Sequence, residues 1–105
     1  MKKATVLALA FVLALSVAPV MAASHTGTIT LVLYNPFAAD RGPCVRTNPA
    51  GPVTGWFCLY KDNALYEEIN VLLREAYIFS KSCTLEWDTT DPLGALILTV
   101  VTCGQ

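Results

Sequence analysis

Four cysteines, Cys44, Cys58, Cys83 and Cys103, constrain this chain more than any other feature. Their separations are too wide for a structural zinc site, which needs close ligand pairs such as C-x2-C, and no histidine stands near them. In a short chain that opens like an exported protein, an even number of cysteines points instead to two disulfides. Facing residues of an antiparallel hairpin have a constant number sum, so the turns predict the pairing. Cys44 and Cys58 sum to 102, which centres a hairpin on Gly51, inside the turn-forming stretch Asn48-Pro49-Ala50-Gly51-Pro52. Cys83 and Cys103 sum to 186, which centres another on Leu93, inside Asp91-Pro92-Leu93-Gly94. Directly opposed residues of such a hairpin are within disulfide reach. Cys44 to Cys58 and Cys83 to Cys103 is therefore the expected connectivity, ahead of the two that cross between hairpins. Each bond would close a modest loop and stabilise the fold by about 3 kcal/mol on chain-entropy arguments.

Export is read from the first residues. Lys2 and Lys3 precede an uncharged, mostly apolar run from Ala4 to Ala18, and Val20-Met21-Ala22 has the small-x-Ala form of a signal-peptidase site. Residues 1–22 are thus expected to be a signal peptide and 23–105 a single domain. The alternative, an N-terminal membrane anchor, is disfavoured because the run falls short of the roughly 20 residues that span a bilayer. No later apolar run approaches that length, so no membrane span is expected after processing. Beyond residue 22 there are five basic residues (Arg41, Arg46, Lys61, Arg74, Lys81) and eight acidic ones (Asp40, Asp62, Glu67, Glu68, Glu75, Glu86, Asp88, Asp91), a net charge of −3. A mildly acidic surface without a Lys/Arg cluster lacks the footprint of a nucleic-acid or anionic-membrane binder. The double-lysine start and the absence of an N-x-S/T sequon fit a secreted or periplasmic bacterial protein.

Along that domain, Thr28 to Tyr34 alternates as a strand, with Ile29, Leu31 and Leu33 on one face. Cys44 to Thr47 and Gly55 to Tyr60 read as strands two and three. From Asn63 to Ser80 the period becomes helical, with Leu65, Ile69, Leu72, Leu73, Ala76 and Phe79 on one side and Asn63 or Asp62 able to cap the start. Ser82 to Asp88 and Ala95 to Cys103 complete five strands. The expected fold is mainly β with one helix, β-β-β-α-β-β, the element order of a small OB-fold-like five-stranded barrel with two disulfides. An unrelated α+β sheet of the same order is the alternative.

Little in the sequence suggests catalysis, a cofactor or a metal. His25, the only histidine, falls at the start of the processed chain, where a disordered tail is expected. The cysteines are spoken for by disulfides. Glu67 and Glu68 suit a helix N-terminus, Asp88 and Asp91 a turn, and no catalytic motif of the common hydrolase, protease or phosphate-binding kinds occurs. The chain therefore reads as a non-enzyme. Val71 and Ile78 fall on the back of the helix, where they suit either an oligomer interface or ordinary surface exposure. Trp87 shares a strand face with Cys83 and Leu85, as a core residue would; beside Glu86 and Asp88 at the open end of its strand, it would also serve as an aromatic platform for a sugar. Trp56 carries the same two readings, and Arg46, opposite it in the predicted register, is placed to stack on it.

The spacing from Ile29 to Cys44, the run Cys44-Val45-Arg46, the second hairpin cysteine Cys58, the helix end through Tyr77 and the final Thr102-Cys103 together give the chain a resemblance to the B subunits of the subtilase-cytotoxin and typhoid-toxin group. Those are OB-fold proteins that form pentameric rings and bind sialylated glycans. The resemblance implies a host or cell-surface glycan as ligand, a homo-pentamer, a toxic A subunit as partner, and a ligand-binding role for Trp87 with Glu86, Asp88 and Arg46. It also gives Val71 and Ile78 a reason to be apolar, on helices that line a pore. A family serine that contacts glycan falls near His25 here, and Cys83 has no counterpart. Without the resemblance, the alternative is a monomeric periplasmic or secreted protein that binds another protein, such as an inhibitor of a cell-wall hydrolase.

Overall fold

The computed structural model describes residues 23–35 and 39–104, so the expected signal peptide lies outside the described residues. Among these described residues five strands and one helix follow in the order β1 (Ala23–Tyr34), β2 (Arg41–Asn48), β3 (Phe57–Tyr60), α1 (Tyr66–Ile78), β4 (Ser82–Thr90) and β5 (Leu96–Gly104). The strands close into a ring in the order β1-β2-β3-β5-β4. Only the β3/β5 junction is parallel, through Phe57 with Leu96 and Cys58 with Ile97. A parallel neighbour requires a crossover, and α1 lies within it.

Both hairpins have the register that the turns dictate. Cys44 faces Cys58 and Val45 faces Phe57, while Cys83 faces Cys103 and Glu86 faces Val100. The two disulfides are Cys44–Cys58 and Cys83–Cys103, each joining Cα atoms 4.0 Å apart. The first staples β2 to β3 and the second β4 to β5, on either side of the parallel β3/β5 junction.

Strand β1 departs from expectation twice. It begins at Ala23, and its first residues pair with β4 from Ala23 opposite Trp87 to Gly27 opposite Cys83. Its later residues pair with β2. One strand thus serves two neighbours, and this closes the ring. At the crossing, a Cβ on Gly27 would stand 3.0 Å from the Thr47 Cβ and 3.2 Å from the Asn48 carbonyl oxygen, so any larger residue would push these neighbours back by a few tenths of an ångström. The second departure is a register shift between Ile29 and Leu31, a β-bulge that inverts the alternation. Ile29 is buried, but Leu31 and Leu33 are 40% and 38% exposed and Val32 packs on the core instead. The expected apolar face of Ile29, Leu31 and Leu33 is therefore not one face.

The interior is filled by Ile29, Val45, Phe57, Leu59, Leu85, Leu96 and Leu98 from the strands. Ile69, Leu73 and Ala76 cover it from α1, which packs against β1, β3 and β5. These helix residues recur at i, i+4 and i+7, the narrow stripe that one helical face offers. Leu65 and Phe79, assigned to that stripe from the sequence, are instead 52% and 66% exposed. They fall outside the helix proper, whose ends lie at Tyr66 and Ile78, so helical spacing no longer aims them inward. Asn63 does not cap by the usual first-turn bond. Its Oδ1 accepts from the Leu65 N–H, and its Nδ2 donates to the Leu98 and Thr99 carbonyls, pinning the helix start to β5.

Candidate functional site

Alternation along β2 and β3 sends Val45, Phe57 and Leu59 inward and Cys44, Cys58 and Tyr60 outward. The outward side is nevertheless buried locally. The Cys44–Cys58 disulfide packs with Ala95, and Trp56 and Tyr60 lean on it. Ala95 arrives from the β4–β5 turn, which folds over this face.

That turn is held by Asp91. Its Oδ1 accepts the N–H groups of Leu93 and Ala95, each at 2.9 Å, which shapes the turn. Its Oδ2 accepts from Arg41 Nη2 and from the Tyr60 hydroxyl, each at 2.7 Å. Two strands and a turn therefore converge on one carboxylate. The Arg41 and Asp91 side chains are 6% and 1% exposed, a buried ion pair with its hydrogen-bonding capacity well used. Burial pushes the Asp91 carboxyl up, but the bonds from Tyr60, Ala95, Arg41 and Leu93 outweigh it and hold the group below the usual carboxylate range. Burial, and then the Asp91 carboxylate beside it, raise the Tyr60 phenol. Arg41 spends Nη1 on the Asn35 Oδ1 at 3.3 Å, and its buried Nε has no hydrogen-bond partner.

Above the disulfide opens a cleft of about 310 Å³, lined by Leu33, Asn35, Arg41, Cys44, Thr54, Trp56, Cys58, Leu93 and Ala95. Leu33 and Asn35 at the end of β1, Thr54 and Trp56 of the β2–β3 connection and Leu93 and Ala95 of the β4–β5 turn wall it, over a floor of Cys44 and Cys58 from β2 and β3. Arg46 lies over the Trp56 ring at 4.4 Å from the centroid, as the hairpin register requires. It also gives Nη2 to the Thr54 carbonyl at 3.0 Å. The cation therefore braces Trp56 and the 54–55 turn without itself lining the cleft.

Trp87 stands elsewhere. It is half-buried against the core, edge-on to Phe57 at 5.4 Å between ring centroids, and Phe57 in turn stacks on His25 at 5.7 Å. Glu86 and Asp88 flank it in sequence and, by strand alternation, belong to the opposite face. The structure thus brings Arg46 to Trp56, and it turns the Trp87 ring toward Phe57 of the core. His25 is no loose tail. It lies in β1 opposite Leu85, with Nε2 bonded to the Thr47 Oγ1 at 3.0 Å and the Pro49 carbonyl at 2.9 Å.

Val71 and Ile78 are 53% and 67% exposed on the outer side of α1. Two shallow grooves run there, one between Val71, Leu72 and the acidic Glu67, Glu68 and Glu75, the other between Val71, Arg74, Glu75 and Ile78. Among the described residues there is no group of three or more His, Cys, Asp or Glu arranged to hold a metal, and no helix long and apolar enough to cross a membrane.

The sequence anticipated the stacking of Arg46 on Trp56 but gave no sign that Arg41, Asp91, Tyr60 and Asn35 would gather in one network. Asp91 carried a turn signal only, and Arg41 none, because their pairing spans 50 positions and exists only once β2 and the β4–β5 turn meet. Comparison with protein families, curated proteins and solved structures finds no match to this chain.

Proposed function

We propose that this chain is an exported, non-catalytic binding module of the OB-fold type that takes a glycan in the cleft around Trp56. The observation that carries the reading is the position of that cleft. It lies on the β2–β3 face between the β1–β2 and β4–β5 connections, which is where OB-folds bind oligosaccharides and oligonucleotides. The strand order β1-β2-β3-β5-β4, a parallel β3/β5 pair and a helix between β3 and β4 support the fold assignment. The acidic net charge beyond residue 22 turns the choice from nucleic acid to sugar. An aromatic wall with an amide, a hydroxyl and a guanidinium nearby is the chemistry that a sugar's C–H face and hydroxyls need. The engagement of His25 with Thr47 and Pro49, and of all four cysteines in disulfides, supports a non-catalytic role.

Homo-oligomerisation through α1 belongs to the same reading, supported by the exposed Val71, Tyr77 and Ile78. Pentameric order and a toxic A subunit as partner rest on the resemblance to toxin B subunits. The test is a glycan array probed with the wild-type protein and with Trp56→Ala, together with the mass in solution. Binding that is lost with Trp56 supports the module, and a ring gives about five times the mass of the processed chain.

A second reading has its own observation. Leu31, Leu33 and Leu93 are exposed in and beside the cleft, at 40%, 38% and 55%. Such an apolar border suits a protein partner, as in a monomeric inhibitor of a cell-wall hydrolase. An array without any glycan hit, combined with a monomeric mass, would favour it.

A further inference from the structure

We infer that the cleft over the Cys44–Cys58 disulfide takes a single uncharged sugar ring and discriminates against acidic sugars; this rests on the glycan-binding reading above and specifies its ligand class. Size sets the first limit. A volume of about 310 Å³ stands at the bottom of the roughly 300–1,000 Å³ range of small-molecule sites. Such a space seats one ring, and an extended oligosaccharide would have to continue in solvent.

Charge sets the second limit. Among the described residues Arg41 is the only charged one that lines the cleft, and its guanidinium is already matched by Asp91 at 2.7 Å with both side chains buried. A carboxylate or sulfate entering the cleft would shed water and find a cation whose field is cancelled by the anion behind it. Desolvated charge without a free partner is strongly unfavourable. Arg46 does not remedy this, because its exposed guanidinium stands over Trp56 and bonds to the Thr54 carbonyl outside the cleft lining, where solvent screens it.

The lining supplies the positive half of the argument. Trp56, Ala95 and the disulfide offer apolar surface to the C–H face of a sugar ring, and the uncharged polar side chains Asn35 and Thr54 line the same cleft beside them.

The test compares sugars that differ only in charge. Titrations of the processed protein at neutral pH, followed by NMR of the Trp56 indole, would use galactose against galacturonate and glucose against glucuronate, with an array of sialylated and desialylated glycans alongside. The expected result is that the neutral member of the preferred pair binds at least ten times tighter than its acidic partner, and that Trp56→Ala removes binding of both. Equal or tighter binding of the acidic members overturns the inference while leaving the glycan-binding reading intact. No binding to any sugar overturns both. Asp91→Asn adds a second arm in a protein verified as folded by circular dichroism. Freeing the Arg41 charge should shift the ratio towards the acidic sugar by at least threefold, and an unchanged ratio counts against the inference. The wild-type pairs decide the matter if that variant does not fold.

Discussion

Arg41 and Asp91, separated by 50 positions in the chain, meet as a buried ion pair with Nη2 and Oδ2 2.7 Å apart. The pair ties the first residue of β2 to the turn that leads into β5, and Tyr60 at the end of β3 donates to the same carboxylate oxygen. Because Asp91 also holds the turn through its own loop's N–H groups, the wall of the cleft depends on one side chain.

Asp91→Ala is expected to be among the most damaging single substitutions in the molecule. Removing one member of a buried pair strands the other and costs about 3 to 5 kcal/mol. The combined variant Arg41→Met with Asp91→Leu should regain part of that loss, since no charge is stranded, but not all of it, since the Leu93 and Ala95 N–H groups still lack Oδ1. Denaturant melts of the three proteins measure the difference, and a double variant no better than Asp91→Ala would argue against a charge-based explanation.

The pH dependence of stability should have a loss at each end. Asp91 has a native value below its unfolded one, so its contribution is complete above the ordinary carboxylate value of 3.8 and disappears as pH falls through the lowered value. Tyr60 has a raised value, so the native state keeps its proton longer than the unfolded chain does, and stability declines as pH rises above the ordinary phenol value of 10.0. Thermal melts from pH 2 to 11 should show a plateau between these losses, and Tyr60→Phe should flatten the alkaline one.

Peptide mapping without reduction should recover Cys44 linked to Cys58 and Cys83 linked to Cys103. Replacing Cys44 and Cys58 together with alanine releases a link spanning 14 positions and should cost about 3 kcal/mol. It also removes the floor of the cleft, so glycan binding should weaken more than the loss of folded protein explains.

Trp56 and Trp87 should separate cleanly. Trp87→Ala removes a ring that packs edge-on against Phe57 and should cost about 3 kcal/mol in stability. Trp56→Ala should shift melting far less and abolish sugar binding. Parallel melting and glycan-array measurements on the two variants check this, and the opposite pattern would return the ligand site to Trp87.

Val71→Lys places a charge on an exposed position of α1 and should change the stability of the isolated domain by under about 0.5 kcal/mol. If α1 mediates assembly, light scattering should show the wild-type oligomer reduced to monomer by this one change. A wild-type protein that is monomeric at high concentration removes the basis for the assembly.

The sequence by itself determined the two hairpins, their register and both disulfides, because turn chemistry and a constant number sum are local quantities. Cys44 opposite Cys58 and Arg46 over Trp56 follow from one turn centred on Gly51. The buried stripe Ile69, Leu73 and Ala76 was equally legible, since helical period carries it. Tertiary structure decided the rest. Ala23 to Gly27 has no apolar alternation, and becomes strand only because the free edge of β4 offers it hydrogen bonds. The bulge between Ile29 and Leu31 answers the different demands of β4 and β2 on one strand, and reverses which side chains enter the core. The cleft depends most on tertiary structure, because Arg41, Tyr60 and Asp91 each have an ordinary local reading. They become a site only when closure of the ring brings β2, β3 and the β4–β5 turn to one buried carboxylate, whose low-polarity surroundings make their pairing obligatory.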